Sequence, residues 1–224
     1  MTVEAVIFDL DNTLINRKAA FQAYSERFID QFVELSEQTD RAALLDYMRE
    51  ADQDGYRHKR ELHEQFLQEL TMKYAETTVD ELLQFWFAEF FKSTVLMQGA
   101  VELLMALRSQ GIKLGLITNG SVHTQNAKLD QAQLRDFFDV IVVSDEVQIK
   151  KPDQRIFELA LERLGAAAAR TWYVGDHPVN DIKGARDAGL SAIWLSGFME
   201  WDDTLEEPSA KIGSLLEILD IVNR

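Results

Sequence analysis

Four short clusters of side chains in this 224-residue chain have the types and spacing to do chemistry. The first is Asp9-Leu10-Asp11-Asn12-Thr13, directly after the apolar run Val6-Ile7-Phe8. Two carboxylates this close repel each other, and burial raises the cost further. Keeping both points to a bound cation or a catalytic task; an Asp-rich turn opening the next segment is the plainer alternative. One carboxylate can act as a nucleophile and form an acyl-phosphate. A second can give a proton to a leaving group and later take one from water. The second cluster is Thr118-Asn119-Gly120-Ser121, where a hydroxyl and backbone N–H groups at a helix start suit a phosphate oxygen. Ser121 capping that helix uses the same geometry. The third is Lys150-Lys151-Pro152-Asp153, whose ammonium groups could offset charge on a transferring group or simply be solvated. The fourth is Gly175-Asp176-His177-Pro178-Val179-Asn180-Asp181. Magnesium takes oxygen ligands and keeps several waters, so Asp176 with Asp9 would suffice to hold it. Asp181 could favour a helix dipole or position a lysine.

These clusters need elements that bring them together. Val3–Phe8, Ile112–Thr118, Val140–Ser144, Thr171–Gly175 and Leu190–Leu195 are short apolar runs without alternation, the pattern of buried parallel strands. Helical patterns lie between the later ones: Ala100–Ser109 before Gly111, Asp153–Leu164 before Gly165, and Asn180–Ala188 before Gly189. The rhythm predicts an α/β fold, a doubly wound parallel sheet with helices on both faces. In such a sheet, ligands bind at the carboxyl ends of the strands, where all four clusters fall. The first strand breaks the rhythm. Phe21, Tyr24, Phe28, Phe32 and Leu35 recur at helical spacing, as do Leu62, Phe66, Leu70 and Tyr74, and then Leu82, Trp86 and Phe90. Residues 17–94 therefore read as a four-helix insert with its own core, and 1–16 with 95–224 as the main domain. The aromatics from Phe85 to Phe91 are assigned to that core and its seam.

Taken together, the four clusters resemble the motif set of the haloacid dehalogenase superfamily, most of whose members are phosphatases. Asp9-Leu10-Asp11-Asn12-Thr13 matches the first motif, Thr118 the second, Lys151 the third, and Gly175-Asp176 with Asn180-Asp181 the fourth. The resemblance runs from about Val3 to Leu195. It implies a Rossmann-like core with a helical cap inserted after the first strand. It implies Asp9 as nucleophile, Asp11 as general acid and base with its carbonyl on the metal, and Lys151 as the neutralising cation. Thr118 and Asn119 would hold phosphate oxygens. Asp9, Asp11 and Asp176 would hold Mg2+, with Asp181 supporting or bridging through water. The implied reaction is magnesium-dependent hydrolysis of a small phosphorylated metabolite, such as a nucleoside monophosphate or sugar phosphate, through an aspartyl-phosphate. The motif spacing looks most like the subgroup holding pyrimidine nucleotidases and N-acylneuraminate phosphatases.

Three other readings remain open. A phosphomutase would share every motif. A 2-haloacid dehalogenase has no alkoxide to protonate, and the acid at Asp11 argues against it. A non-catalytic binding protein would be expected to have lost one of the acids. Composition narrows the field further. Lys plus Arg is 23 against 38 for Asp plus Glu, a formal charge of −15, which disfavours a nucleic-acid polymer or an anionic membrane as partner. The absence of Cys excludes disulfides and thiol chemistry. Met1-Thr2-Val3-Glu4 has no basic start, and the expectation is a cytoplasmic monomer or homodimer. Arg57-His58-Lys59-Arg60 is read as a solvated run, Arg17 as a somewhat better candidate for gripping an anion, and His177 as structural.

Overall fold

Parallel strands buried on both faces demand near-continuous apolar sequence, and helices must cover each face. The computed structural model describes residues 2–223. It divides into two compact units, Met1–Asn16 with Leu96–Arg224 and, between them in sequence, Arg17–Val95.

In chain order the elements are β1 (Ala5–Phe8), α1 (Arg17–Phe32), α2 (Arg41–Asp52), α3 (Lys59–Glu69), α4 (Val79–Glu89), α5 (Ala100–Ser109), β2 (Lys113–Thr118), α6 (Val122–Gln131), β3 (Val140–Val143), α7 (Ser144–Val147), α8 (Gln154–Leu164), β4 (Thr171–Gly175), α9 (Gly184–Asp187), β5 (Ser191–Leu195), β6 (Ala210–Ile212) and α10 (Ile218–Val222). The first unit is a six-stranded sheet of order β3-β2-β1-β4-β5-β6. All its pairings are parallel, and Phe8 lies in register with Leu116 on one side and Val174 on the other. Period-two alternation splits the core. Val6, Phe8, Leu114, Leu116, Val174 and Ile193 pack on one face with Leu103, Leu104 and Leu107 of α5. Ala5, Ile7, Ile117, Tyr173 and Ala192 pack on the other with Ile156, Phe157 and Ala160 of α8.

Four of the five expected strands are shorter than their apolar runs. Ile112 and Leu190 instead close the preceding helices, donating to Leu107 and Ala185. Ser144 opens α7, and Val3 packs on the core as a partly buried residue. β6 and α10 were not expected; three and five residues carry too little pattern to register. The span expected as one helix, Asn180–Ala188, is a π-helical turn at Pro178–Lys183 followed by α9. The two ends of the insertion are fixed on the sheet unit itself. Ile15 bridges Leu96, and Met97 N–H donates to the Leu14 carbonyl at 2.9 Å.

The second unit holds four helices. Phe21, Tyr24, Phe28 and Ile29 of α1 pack with Met48, Leu62, Phe66, Leu82 and Trp86. Asp40 caps α2 by accepting from Ala42 and Ala43, and a Thr78–Glu81 capping box starts α4. Of the residues expected to line helix faces, Leu35 and Tyr74 are exposed and lie beyond the helix ends. Within 85–91, Trp86 and Phe90 are core and Phe87 is exposed. Among the described residues no helix is long and apolar enough to cross a membrane.

Candidate active site

β1, β2 and β4 are neighbours in the sheet, so the residues after their last positions converge on one edge. Asp9 follows β1, Thr118 ends β2, and Asp176 follows β4. Past Asp9 the chain turns sharply. Asn12 takes φ 60°, a conformation that asparagine tolerates better than most residues, and its N–H donates to Ile15.

Lys151 reaches this edge from the segment before α8. Its side chain is 3% exposed, and its ammonium donates to Asp9 Oδ1 at 2.6 Å and Asp181 Oδ1 at 2.7 Å. It also lies 2.9 Å from the Tyr173 hydroxyl and 3.1 Å from the Ile117 carbonyl. The neighbouring Lys150 is exposed, so the basic pair divides into one buried and one solvated cation. Asp9, Asp176 and Asp181, all buried, each offer a carboxylate oxygen, with these atoms within 4.8 Å of one another. Two of the three carboxylates thus share one ammonium, and the third, Asp176, lies beside them. Burial raises the Asp9 carboxyl, with Lys151 opposing and Asp181 and Asp11 adding to the rise. Burial raises Asp176 as well, helped by Asp181 and Asp9. For Lys151, burial works against the charged form, but Asp181 and Asp9 override it and the group is raised.

Asp181 gets there through the wide turn at 178–183. His177 caps that turn, its Nδ1 accepting from Val179 and Asn180 N–H. Asp181 Oδ2 accepts from His177 N–H at 3.0 Å, and Oδ1 takes Lys151 and the Tyr173 hydroxyl. A Cβ on residue 175 would lie 2.4 Å from the Asp181 carboxylate, so Gly175 is what lets this side chain fold back against β4. His177 thus serves the turn through Nδ1. Trp194 Nε1 donates to the Asp176 carbonyl at 2.9 Å and steadies the same loop.

The remaining expected residues divide. Thr118 is buried at the edge. Asn119 is placed there too, but its side chain is engaged: Nδ2 donates to the Lys151 carbonyl at 3.0 Å and Oδ1 accepts from Lys151 N–H at 2.9 Å. Ser121 caps α6 through Thr124 N–H. The Asp11 carboxylate is not in the three-acid group; it pairs with Lys128 at 2.7 Å. Arg17 lies in the helical unit, bidentate to Asp52 at 2.6 and 3.1 Å. Lys59 from the basic run joins the same carboxylate at 2.7 Å, and Arg60 makes an exposed pair with Asp80.

Sequence reasoning passed over Tyr173, Gln125 and Lys128. Tyr173 looks like one more core aromatic in a strand, and only its hydroxyl marks it out. Gln125 and Lys128 do carry a signal. They are polar residues three apart, in step with buried Leu129 on the same helix face.

An all-parallel sheet with acids at its carboxyl edge, a buried lysine and an insertion after β1 defines a class of hydrolase. The chain belongs to the haloacid dehalogenase-like hydrolases, whose family model matches residues 6–195. It is 38% identical over 119 residues to a phosphoserine phosphatase of Thermus thermophilus, covering 53% of this chain and 48% of that protein. It is 40% identical over 121 residues to the Escherichia coli pyrimidine 5'-nucleotidase YjjG, covering 54% of this chain and 53% of that one. The chain thus spans about half the length of these curated relatives. The Bacillus subtilis hydrolase YfnB, solved bound to magnesium, superposes with a TM-score of 0.77 at 27% identity over all of both chains.

Proposed function

We propose that the protein is a phosphatase that hydrolyses a small phosphorylated metabolite, such as a nucleoside monophosphate or a sugar phosphate, through an aspartyl-phosphate on Asp9. The observation that carries this reading is the buried group of Asp9, Asp176 and Asp181, two of which, Asp9 and Asp181, share the ammonium of Lys151. Its donors are all hard oxygens and its charge is negative in surplus, which fits magnesium. Asp9 and Asp176 would hold the ion, with the Asp11 carbonyl. Asp181 supports them from behind, since its two oxygens already take Lys151, Tyr173 and His177. Bound there, the ion would supply positive charge that keeps the acids ionised and offsets charge on phosphoryl oxygens.

Asp9 attacks phosphorus through a carboxylate oxygen. The ester P–O bond breaks, its electron pair stays on the leaving oxygen, and Asp11 gives that oxygen a proton. Asp11, now a carboxylate, then takes a proton from the water that attacks the phosphoryl group and frees Asp9. Lys151 stays charged throughout and faces the developing charge. Thr118 offers its O–H to a phosphate oxygen. With the Asn119 amide committed to Lys151, Asn119 would contribute its backbone N–H. The helical unit is the cap in this reading. Relatives named as phosphatase and nucleotidase support the same reaction class.

The test is release of inorganic phosphate from a panel of nucleoside monophosphates, sugar phosphates and phosphoserine, with Mg2+ and with chelator. Magnesium-dependent release with one clear preference is the expected outcome. Full activity in chelator would remove the metal role of Asp176, and no release from any ester would count against hydrolysis.

A further inference from the structure

The motif residues leave two buried polar side chains of α6 without a role. Gln125 is 2% exposed and Lys128 4%. Taking an ammonium out of water is costly unless partners meet it. Lys128 meets both oxygens of Asp11 at 2.7 Å and Gln125 Oε1 at 2.9 Å. Gln125 Nε2 donates to Asp11 Oδ2 at 3.0 Å and also to Thr118 Oγ1. One amide therefore ties the side chain after β1 to the hydroxyl that ends β2. The chain makes room for it. Gly120 sits at φ +148°, and a Cβ there would lie 2.9 Å from Gln125 Cδ. The Ser121 cap then starts α6 so that residues 125 and 128 share one face.

We propose that Gln125 and Lys128 are positioning residues for the proton-transfer step, holding the Asp11 carboxyl in register with Thr118. The proposal rests on the phosphatase reading above, in which Asp11 protonates the leaving oxygen and Thr118 holds the phosphate. Asp11 is partly exposed, with its side chain 21% accessible, so packing alone does not select its rotamer. Donors on both of its oxygens fix the carboxylate, and one of these oxygens exchanges its donor for the proton it carries to the leaving group. Because Gln125 grips Thr118 as well, the distance from the acid to the bound phosphoryl group is set by one rigid bridge. A misplacement of about 1 Å at such a step costs on the order of 10²-fold.

Leaving-group chemistry separates positioning from mere support. An alkoxide is a strong base and must be protonated as the P–O bond breaks. A p-nitrophenolate is a weak base and leaves without a proton. The experiment measures kcat/KM, with Mg2+ present, for p-nitrophenyl phosphate and for the best alkyl phosphate of the panel. It uses the unaltered protein, Lys128→Met, Lys128→Arg and Gln125→Leu, with thermal melting of each. The expected result is a loss of about 10²-fold on the alkyl ester and under about 10-fold on the aryl ester for Lys128→Met. Gln125→Leu should lose less with the same selectivity, and Lys128→Arg should recover part of the alkyl rate. Equal losses on both esters, or none, would overturn the proposal. If Lys128→Met does not fold, Gln125→Leu decides by the same ratio. An unaltered protein that hydrolyses neither ester would overturn the phosphatase reading itself and with it this proposal.

Discussion

Two clusters of buried charge in the molecule are balanced oppositely. In the helical unit Asp52 is 1% exposed and meets two cations, Arg17 and Lys59. Arg17 also lies 5.7 Å from the Phe21 ring and 5.5 Å from that of Phe90, and Lys59 sits 4.9 Å from Trp86. Burial opposes the Asp52 carboxylate, but Arg17 and Lys59 prevail and its pKa is lowered. Beside it, His63 Nδ1 donates to the Lys59 carbonyl and Nε2 accepts from Tyr24, a neutral imidazole with both nitrogens used. In the sheet unit Asp9 and Asp181 share the Lys151 ammonium, Asp176 adds a third carboxylate beside them, and burial raises Asp9 and Asp176. A carboxylate whose cations outnumber it holds a fold together. Carboxylates that outnumber their cation are costly to the fold, which fits the metal role proposed for them.

The largest test of that contrast replaces Asp9. Asp9→Asn should lower phosphate release by at least about 10⁴-fold while leaving the melting temperature unchanged or raised, because it removes a carboxylate from a surplus. A fall in melting temperature would show that Asp9 is also structural. Next comes the mirror experiment. Asp52→Asn strands Arg17 and Lys59 and should cost about 3–5 kcal/mol of unfolding free energy, measured in urea. An unchanged midpoint would mean that the helical cluster is not what stabilises its unit.

Magnesium supplies the third test. At about 100 times its dissociation constant it should stabilise the unaltered protein by about 2.7 kcal/mol, and Asp176→Asn should abolish most of that gain in a thermal shift. Equal shifts in both proteins would place the ion elsewhere. The smallest effect is the pH dependence of His63, whose pKa is lowered to about 4 by burial, with the Lys59 charge adding and the Asp52 charge and the Lys59 carbonyl opposing. Below about pH 6.5 the unfolded chain takes up a proton that the folded one refuses, so stability falls as pH drops from 6.5 towards 4. The loss between pH 7.5 and pH 5 is about 2 kcal/mol. His63→Gln should flatten that part of the profile, and an unchanged slope would assign it to other groups.

Much of the sheet unit could be read in advance because each strand ends on a residue that breaks its apolar run. Asp9, Thr118 and Asp176 were legible for that reason, and Lys151 because Pro152 and Asp153 mark the start of α8. The partners of these residues were not legible. Tyr173 serves the site through one atom of a side chain otherwise counted as core. The bond from Lys128 to Asp11 joins the turn after β1 to a helix after β2, and no local pattern encodes a pairing at that range. Asn119 was legible in place but not in engagement, since the sequence could not show that its amide faces Lys151. The wide turn at 178–183 was hidden for a different reason. A π-helical turn and an α-helix have the same composition and differ only in how the carbonyls are met.

The bridge between Ile15 and Leu96 also bears on how the chain folds as it is made. β1 is synthesised before its neighbours β2 and β4, which are separated from it by the whole helical insert. Helical units rich in local contacts fold fast, and during synthesis an early segment can fold before a late one exists. Once the four helices have formed, the chain between β1 and β2 is no longer a long flexible loop. The entropy of closing it is then largely spent before the strands meet. An insertion that looks like an interruption of the sheet thereby shortens the search by which its central strand finds its partners.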